Sequence, residues 1–142
     1  MVAHGGMLRA ARAILDECGA RRAVARLRAN GYALTVVGHS LGAGVAVLLT
    51  ALLNADDAAS SAQRVKCFAF ACPACASEAL TDLLQADVTA VVHQDDVVPR
   101  LSDANCEVLA AEIVANDTLY RERFARRRAG APYESARRNP PR

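Results

Sequence analysis

Ser40 lies in the run Val37-Gly38-His39-Ser40-Leu41-Gly42, with a glycine two residues to either side. A serine hydroxyl is a weak nucleophile on its own. It gains from standing at the apex of a sharp strand-to-helix turn, where its Oγ is clear of the backbone. Such a turn brings strand and helix close together, so small residues are expected at Gly38 and Gly42. The following helix also presents unpaired backbone N–H groups. That of Leu41 is placed to bind a developing oxyanion, a contact worth about 3–4 kcal/mol. The plainer alternative is an ordinary tight turn in which both glycines serve the backbone alone.

Attack by a hydroxyl needs a base, and the base needs an acid to orient it. Asp95 and Asp96 are the acid candidates, after an apolar run ending near His93. Spacing does not choose between them, and a solvated turn before Pro99 is the other reading. The histidines are His4, His39 and His93, all ahead of Asp96. His39 adjoins the serine and is expected to point away from it, while His93 reads as a strand-end residue and His4 precedes the first helix. A second constellation, Cys72-Pro73-Ala74-Cys75, has the spacing of a thiol–disulfide oxidoreductase motif, which a low pKa at Cys72 would mark. Two small, semi-buried cysteines are the plainer reading. Cys18, Cys67 and Cys106 are isolated and offer no second pair for zinc, so no metal or cofactor is expected.

The elements that position these residues follow from periodicity. Residues 7–29 read as helix broken near Cys18-Gly19 and ended by Asn30-Gly31, and residues 32–37 as an apolar strand. Residues 42–53 are apolar nearly all round, as a buried helix is, and 56–63 form a polar loop. A strand at 65–71, a helix at 77–86 and a strand at 88–93 follow, then one long helix over 103–128. Alternating strands and helices, with strands apolar on both faces, predict an α/β fold whose parallel sheet has helices on both faces. There is no internal repeat.

With 142 residues, 53% of them hydrophobic, and a mean hydropathy of +0.11, the chain suits one packed globular domain and excludes a disordered or fibrous one. The net charge of +2 is unevenly spread. Residues 121–142 hold eight arginines against two glutamates, a net +6, leaving −4 on residues 1–120. The expected organisation is thus a domain over 1–120 and a basic, flexible tail over 121–142. Arg121, Arg123, Arg126, Arg127 and Arg128 form a dense cationic run with little aromatic interleaving, so no nucleic-acid partner is expected; a solvated helix end or attraction to an anionic membrane surface accounts for them. The N-terminus lacks the pattern of a signal peptide, and the longest apolar stretch, 43–53, is too short to span a bilayer, which points to a cytoplasmic or peripheral membrane location.

Four blocks resemble the class 3, fungal-type lipases of the α/β-hydrolases, and most closely their diacylglycerol lipase-like branch. They are Val2-Ala3-His4-Gly5-Gly6-Met7, Thr35 to Gly44, Phe68-Ala69-Phe70-Ala71-Cys72-Pro73 and Val91 to Arg100, in the family's order across roughly residues 2–112. The resemblance implies a serine hydrolase of di- or triacylglycerol in lipid metabolism, with a glycerolipid substrate and an acyl-enzyme intermediate. It implies Ser40 as nucleophile, Leu41 as oxyanion N–H donor and Asp96, directly before Val97-Val98-Pro99, as the acid. The chain departs from the family in having no histidine after Asp96. It also lacks the upstream strand that supplies a second oxyanion donor and the lid before Val2. It therefore reads as an α/β-hydrolase core fragment, a truncated domain inactive by itself for want of a base. Two other classes stand beside this one: a catalytically inactive hydrolase-fold binding protein, and a thiol–disulfide oxidoreductase acting through Cys72 and Cys75.

Overall fold

The computed structural model describes residues 1–55 and 64–129, so the loop expected at 56–63 lies outside the described residues. Met7, Ala11 and Leu15, spaced four apart, form the buried stripe of α1 (Gly5–Asp16). His4 caps this helix: its Nδ1 accepts the Met7 N–H at 3.3 Å. Gly19, at φ 76°, breaks the chain where the sequence predicts, and α2 (Ala20–Ala29) follows. At its end the Gly31 N–H donates to the Arg28 carbonyl at 2.9 Å and the Tyr32 N–H to that of Leu27 at 3.1 Å. This closing motif uses the Tyr32 donor, so the strand predicted from residue 32 begins only at Thr35.

The sheet consists of β1 (Thr35–His39), β2 (Lys66–Phe70) and β3 (Val88–Val91), all parallel and in the order β1-β2-β3. Helix α3 (Leu41–Ala55) links the first two strands and α4 (Glu78–Leu84) the second two. The α/β class and parallel sheet are those the sequence predicts. Helical cover, expected on both faces, lies within this unit on one. Right-handed crossovers that step across a sheet in one direction leave their helices on the same side, and here the strand order never reverses. Helix α3 packs on β1 and β2, with α1 behind it. Val36, Cys67 and Ala69 face that layer, while Val37, Phe68, Phe70 and Val91 are exposed.

At the N-terminal edge of the sheet a polar clasp ties α3 to two strands. Asn54 accepts the Val65 N–H at 2.9 Å and donates to the Val65 carbonyl at 3.0 Å and to Asp87 Oδ2 at 3.1 Å. The buried Asp87 carboxylate also receives both Arg64 Nε at 2.8 Å and Arg64 Nη2, and Lys66 Nζ at 3.0 Å. These donors, Arg64 foremost, hold the Asp87 pKa below its ordinary value against the opposing effect of burial.

Residues Met1–Ser102 form one compact unit, and a second begins at Asp103. In the latter the single helix predicted over 103–128 is two, α5 (Asp103–Ala115) and α6 (Asp117–Arg128). Asn116 marks the break: its side-chain amide donates to the Glu112 carbonyl at 2.8 Å. No helix among the described residues is long and apolar enough to cross a membrane.

Candidate active site

β1 ends at His39 and α3 starts at Leu41, so Ser40 alone makes the turn. Its φ of 55° is in the left-handed region, which costs a residue with a Cβ about 1–3 kcal/mol. The backbone is held from both sides. The Ser40 N–H donates to the Phe70 carbonyl at 2.9 Å, extending the β1–β2 ladder, and the Ser40 carbonyl accepts from Ala43 at 2.9 Å and Gly44 at 3.4 Å. Leu41 precedes those first helical bonds, so its N–H has no intrahelical acceptor. Ser40 is half-buried and the Leu41 side chain 63% exposed.

The two motif glycines differ. A Cβ on Gly38 would stand 2.7 Å from the Gly42 carbonyl carbon and 2.8 Å from Ala43 Cα, and nearer still to the Gly42 oxygen. At Gly42 an added Cβ meets nothing within 4 Å, so closeness of strand and helix explains Gly38 and not Gly42. A third glycine that the motif does not mark is equally crowded: a Cβ on Gly44 would collide with the Met7 sulfur and lie 3.3 Å from Cys75 Cβ.

The two aspartates are also distinguished. Asp96 is half-buried and lies just ahead of the 3-10 turn Val98–Arg100, its Oδ1 accepting the Val98 N–H at 3.0 Å. Its own N–H donates to the His93 carbonyl at 3.0 Å, and Arg100 donates to the Asp96 and Gln94 carbonyls at 3.2 Å each. Asp95 is exposed and makes no hydrogen bond among the described residues. Ser40 and Asp96 both follow the C-terminal ends of their strands, and the ends of β1 and β3 are two strand spacings, about 10 Å, apart. No histidine side chain hydrogen-bonds to Ser40 or Asp96 among the described residues. His4 is engaged as the α1 cap, and His39 and His93 are exposed.

Among the described residues, Ser40, Ala71 at φ 50° and Gln94 at φ 45° are the non-glycine residues with left-handed backbone, and each follows a different strand of the sheet. Sequence reasoning found only the first, because neither alanine nor glutamine signals such a conformation. Beyond Ala71, the Cys72 and Cys75 sulfurs stand 3.9 Å apart as free thiols. The hydrogen bond between them pushes the Cys72 pKa up and the Cys75 pKa down. This is the reverse of the low Cys72 pKa that an oxidoreductase motif calls for. A pocket of about 550 Å³ lies beside this loop, lined by Val47, Cys72, Cys75, Leu84 and Val88 among others, and by neither Ser40 nor Asp96. Among the described residues no group of three His, Cys, Asp or Glu is placed to hold a metal ion.

Residues 2–106 match the family described as Lipase (class 3). Diacylglycerol lipase-alpha of Homo sapiens is 38% identical over 91 residues, covering 63% of this chain and 8% of that protein. Diacylglycerol lipase-beta of Mus musculus is 36% identical over 117 residues, 80% of this chain and 17% of that protein. Among solved structures, the triacylglyceride lipase of Rhizomucor miehei superposes with a TM-score of 0.60 at 22% identity, over 72% of this chain and 40% of its own. A lipase from Rhizopus microsporus var. chinensis gives the same score and identity, over 37% of its own chain. The chain thus spans less than a fifth of the curated relatives it matches and about two fifths of the fungal lipases.

Proposed function

Because the chain belongs to the class 3 lipase family, we propose that it carries the nucleophile and acid of a serine ester hydrolase acting on the acyl esters of di- or triacylglycerol. The observation that carries this reading is the left-handed Ser40, locked between β1 and α3 with Gly38 in backbone contact. In this reading Ser40 Oγ attacks the acyl carbonyl and forms an acyl-enzyme. The Leu41 N–H binds the oxyanion, and Asp96 orients the imidazole that takes the Ser40 proton. None of His4, His39 and His93 supplies that imidazole, so the proposal requires it from another part of a longer protein.

The test is diacylglycerol hydrolysis by the longest natural protein that contains this segment. Ser40→Ala is expected to lower turnover by about 10⁴–10⁶-fold with the fold intact, and retained turnover would refute the assignment. Asp96→Asn is expected to cost about 10⁴-fold and Asp95→Asn far less, and the reverse order would move the acid by one position. Absence of hydrolysis in the unsubstituted protein, with lipid binding that survives all three substitutions, would favour a non-catalytic binding protein.

The same reading extends to the lipid surface. Arg121, Arg123, Arg126 and Arg128 are exposed on α6, and together they offer a peripheral contact for anionic lipid. Binding to phosphatidylserine vesicles should fall as salt rises, and binding indifferent to salt and to lipid charge would dispose of the contact.

A further inference from the structure

The segment from Cys72 to Cys75 belongs to no helix or strand and lies between the end of β2 and the isolated bridge of Ala76 with Ala3. It is pinned on both sides. The Phe70 carbonyl holds the Ser40 N–H at 2.9 Å, and the Cys75 carbonyl accepts the His4 N–H at 2.9 Å. Between these anchors the two sulfurs face one another at 3.9 Å, against about 2.05 Å in a disulfide. Closing that distance requires side-chain rotation and a small loop adjustment, with no strand or helix to unwind. Cys75 is 7% exposed and Cys72 half-buried, and both residues line the open pocket of about 550 Å³, which is the route a small oxidant would take to them.

The other thiols lack this arrangement. Cys67 is buried in β2, and Cys18 and Cys106 are exposed. We propose that Cys72 and Cys75 form a reversible intramolecular disulfide when the protein meets hydrogen peroxide, a modification site beside the serine turn and independent of the ester-hydrolysis reading. The Cys75 thiolate, favoured by the hydrogen bond from Cys72, attacks one peroxide oxygen. The O–O bond breaks, hydroxide leaves and takes a proton to become water, and Cys75 is left as a sulfenic acid. The Cys72 sulfur then attacks the Cys75 sulfur. The S–O bond breaks, and the departing hydroxyl takes the Cys72 proton as a second water. Two thiols have lost two electrons and two protons, and one peroxide has become two waters. A dithiol reductant reverses the change by exchange.

The disulfide is read by peptide mass spectrometry on the full chain carrying Cys18→Ser and Cys106→Ser, which removes the exposed cysteines that would link two copies. Trypsin cuts after Lys66 and Arg100, so one peptide holds Cys67, Cys72 and Cys75. After hydrogen peroxide, and alkylation in denaturant, the expected peptide has lost two hydrogens, carries one alkyl group on Cys67, and fragments as a loop between positions 72 and 75. Dithiothreitol restores three alkylatable thiols. A further Cys72→Ala substitution should abolish the loop and raise Cys75 sulfinic acid about tenfold, because no resolving thiol remains. A link involving Cys67, irreversible oxidation without a loop, a loop that survives Cys72→Ala, or no reaction at peroxide levels that oxidise free glutathione would each overturn the proposal.

Discussion

At Gly38 the carbon added by an alanine would meet the backbone of Gly42 and Ala43, which cannot rotate away as a side chain can. Gly38→Ala is therefore expected to cost about 3 kcal/mol or more, whereas Gly42→Ala should stay within about 1 kcal/mol in urea denaturation, and equal losses would contradict the geometry. Ser40 offers a second comparison, since its left-handed backbone suits glycine better than alanine. Neither variant has a nucleophile, yet Ser40→Gly should be more stable than Ser40→Ala by about 1 kcal/mol, and the opposite ranking would mean the turn is unstrained. Much of this site was legible beforehand, because a serine flanked at two residues by glycines has few structural settings between a strand and a helix. The choice of Asp96 over Asp95 was not legible from spacing. The family resemblance points to Asp96, and the structure adds only that Asp96 accepts the Val98 N–H while Asp95 is exposed. The crowding at Gly44 was equally hidden, since it depends on Met7 of a helix distant in sequence.

At the scale of elements, the Asp87 clasp joins the end of α3 to the starts of β2 and β3, the edge opposite Ser40. Asp87 keeps its charge in the folded state below its ordinary value of 3.8. Its stabilising effect is thus fully present above that pH and is lost as pH falls through the lower, folded value. Asp87→Asn should cost about 3 kcal/mol at neutral pH and flatten the acid side of the stability profile. An unchanged slope below pH 3.8 would assign acid sensitivity to other carboxylates. Nothing in the sequence announced the clasp, because Asn54, Arg64, Lys66 and Asp87 come together only through the sheet. The order of strands and helices was legible from apolar runs. The cap that delays β1 to Thr35 and the Asn116 break between α5 and α6 were not, because both are decided by where single backbone carbonyls find donors.

For the whole molecule, the consequence of an unreversed strand order is an open sheet face. Val37 is 64% exposed, and Phe68, Phe70 and Val91 are each about 40% exposed on neighbouring strands. Contiguous apolar surface of this kind attracts other apolar groups, whether a reporter dye or another copy of the chain. The 142-residue chain in isolation should therefore enhance the fluorescence of an apolar dye and sediment faster as its concentration rises. Val37→Thr with Phe68→Thr should reduce both effects, since threonine has high strand propensity and removes apolar area at both positions. Because neither side chain contributes to the layer packed under α3, stability should change by less than about 1 kcal/mol. Dye binding that survives the double substitution would place the sticky surface elsewhere. A large loss of stability would instead mean that these residues are packed in solution, with the face covered.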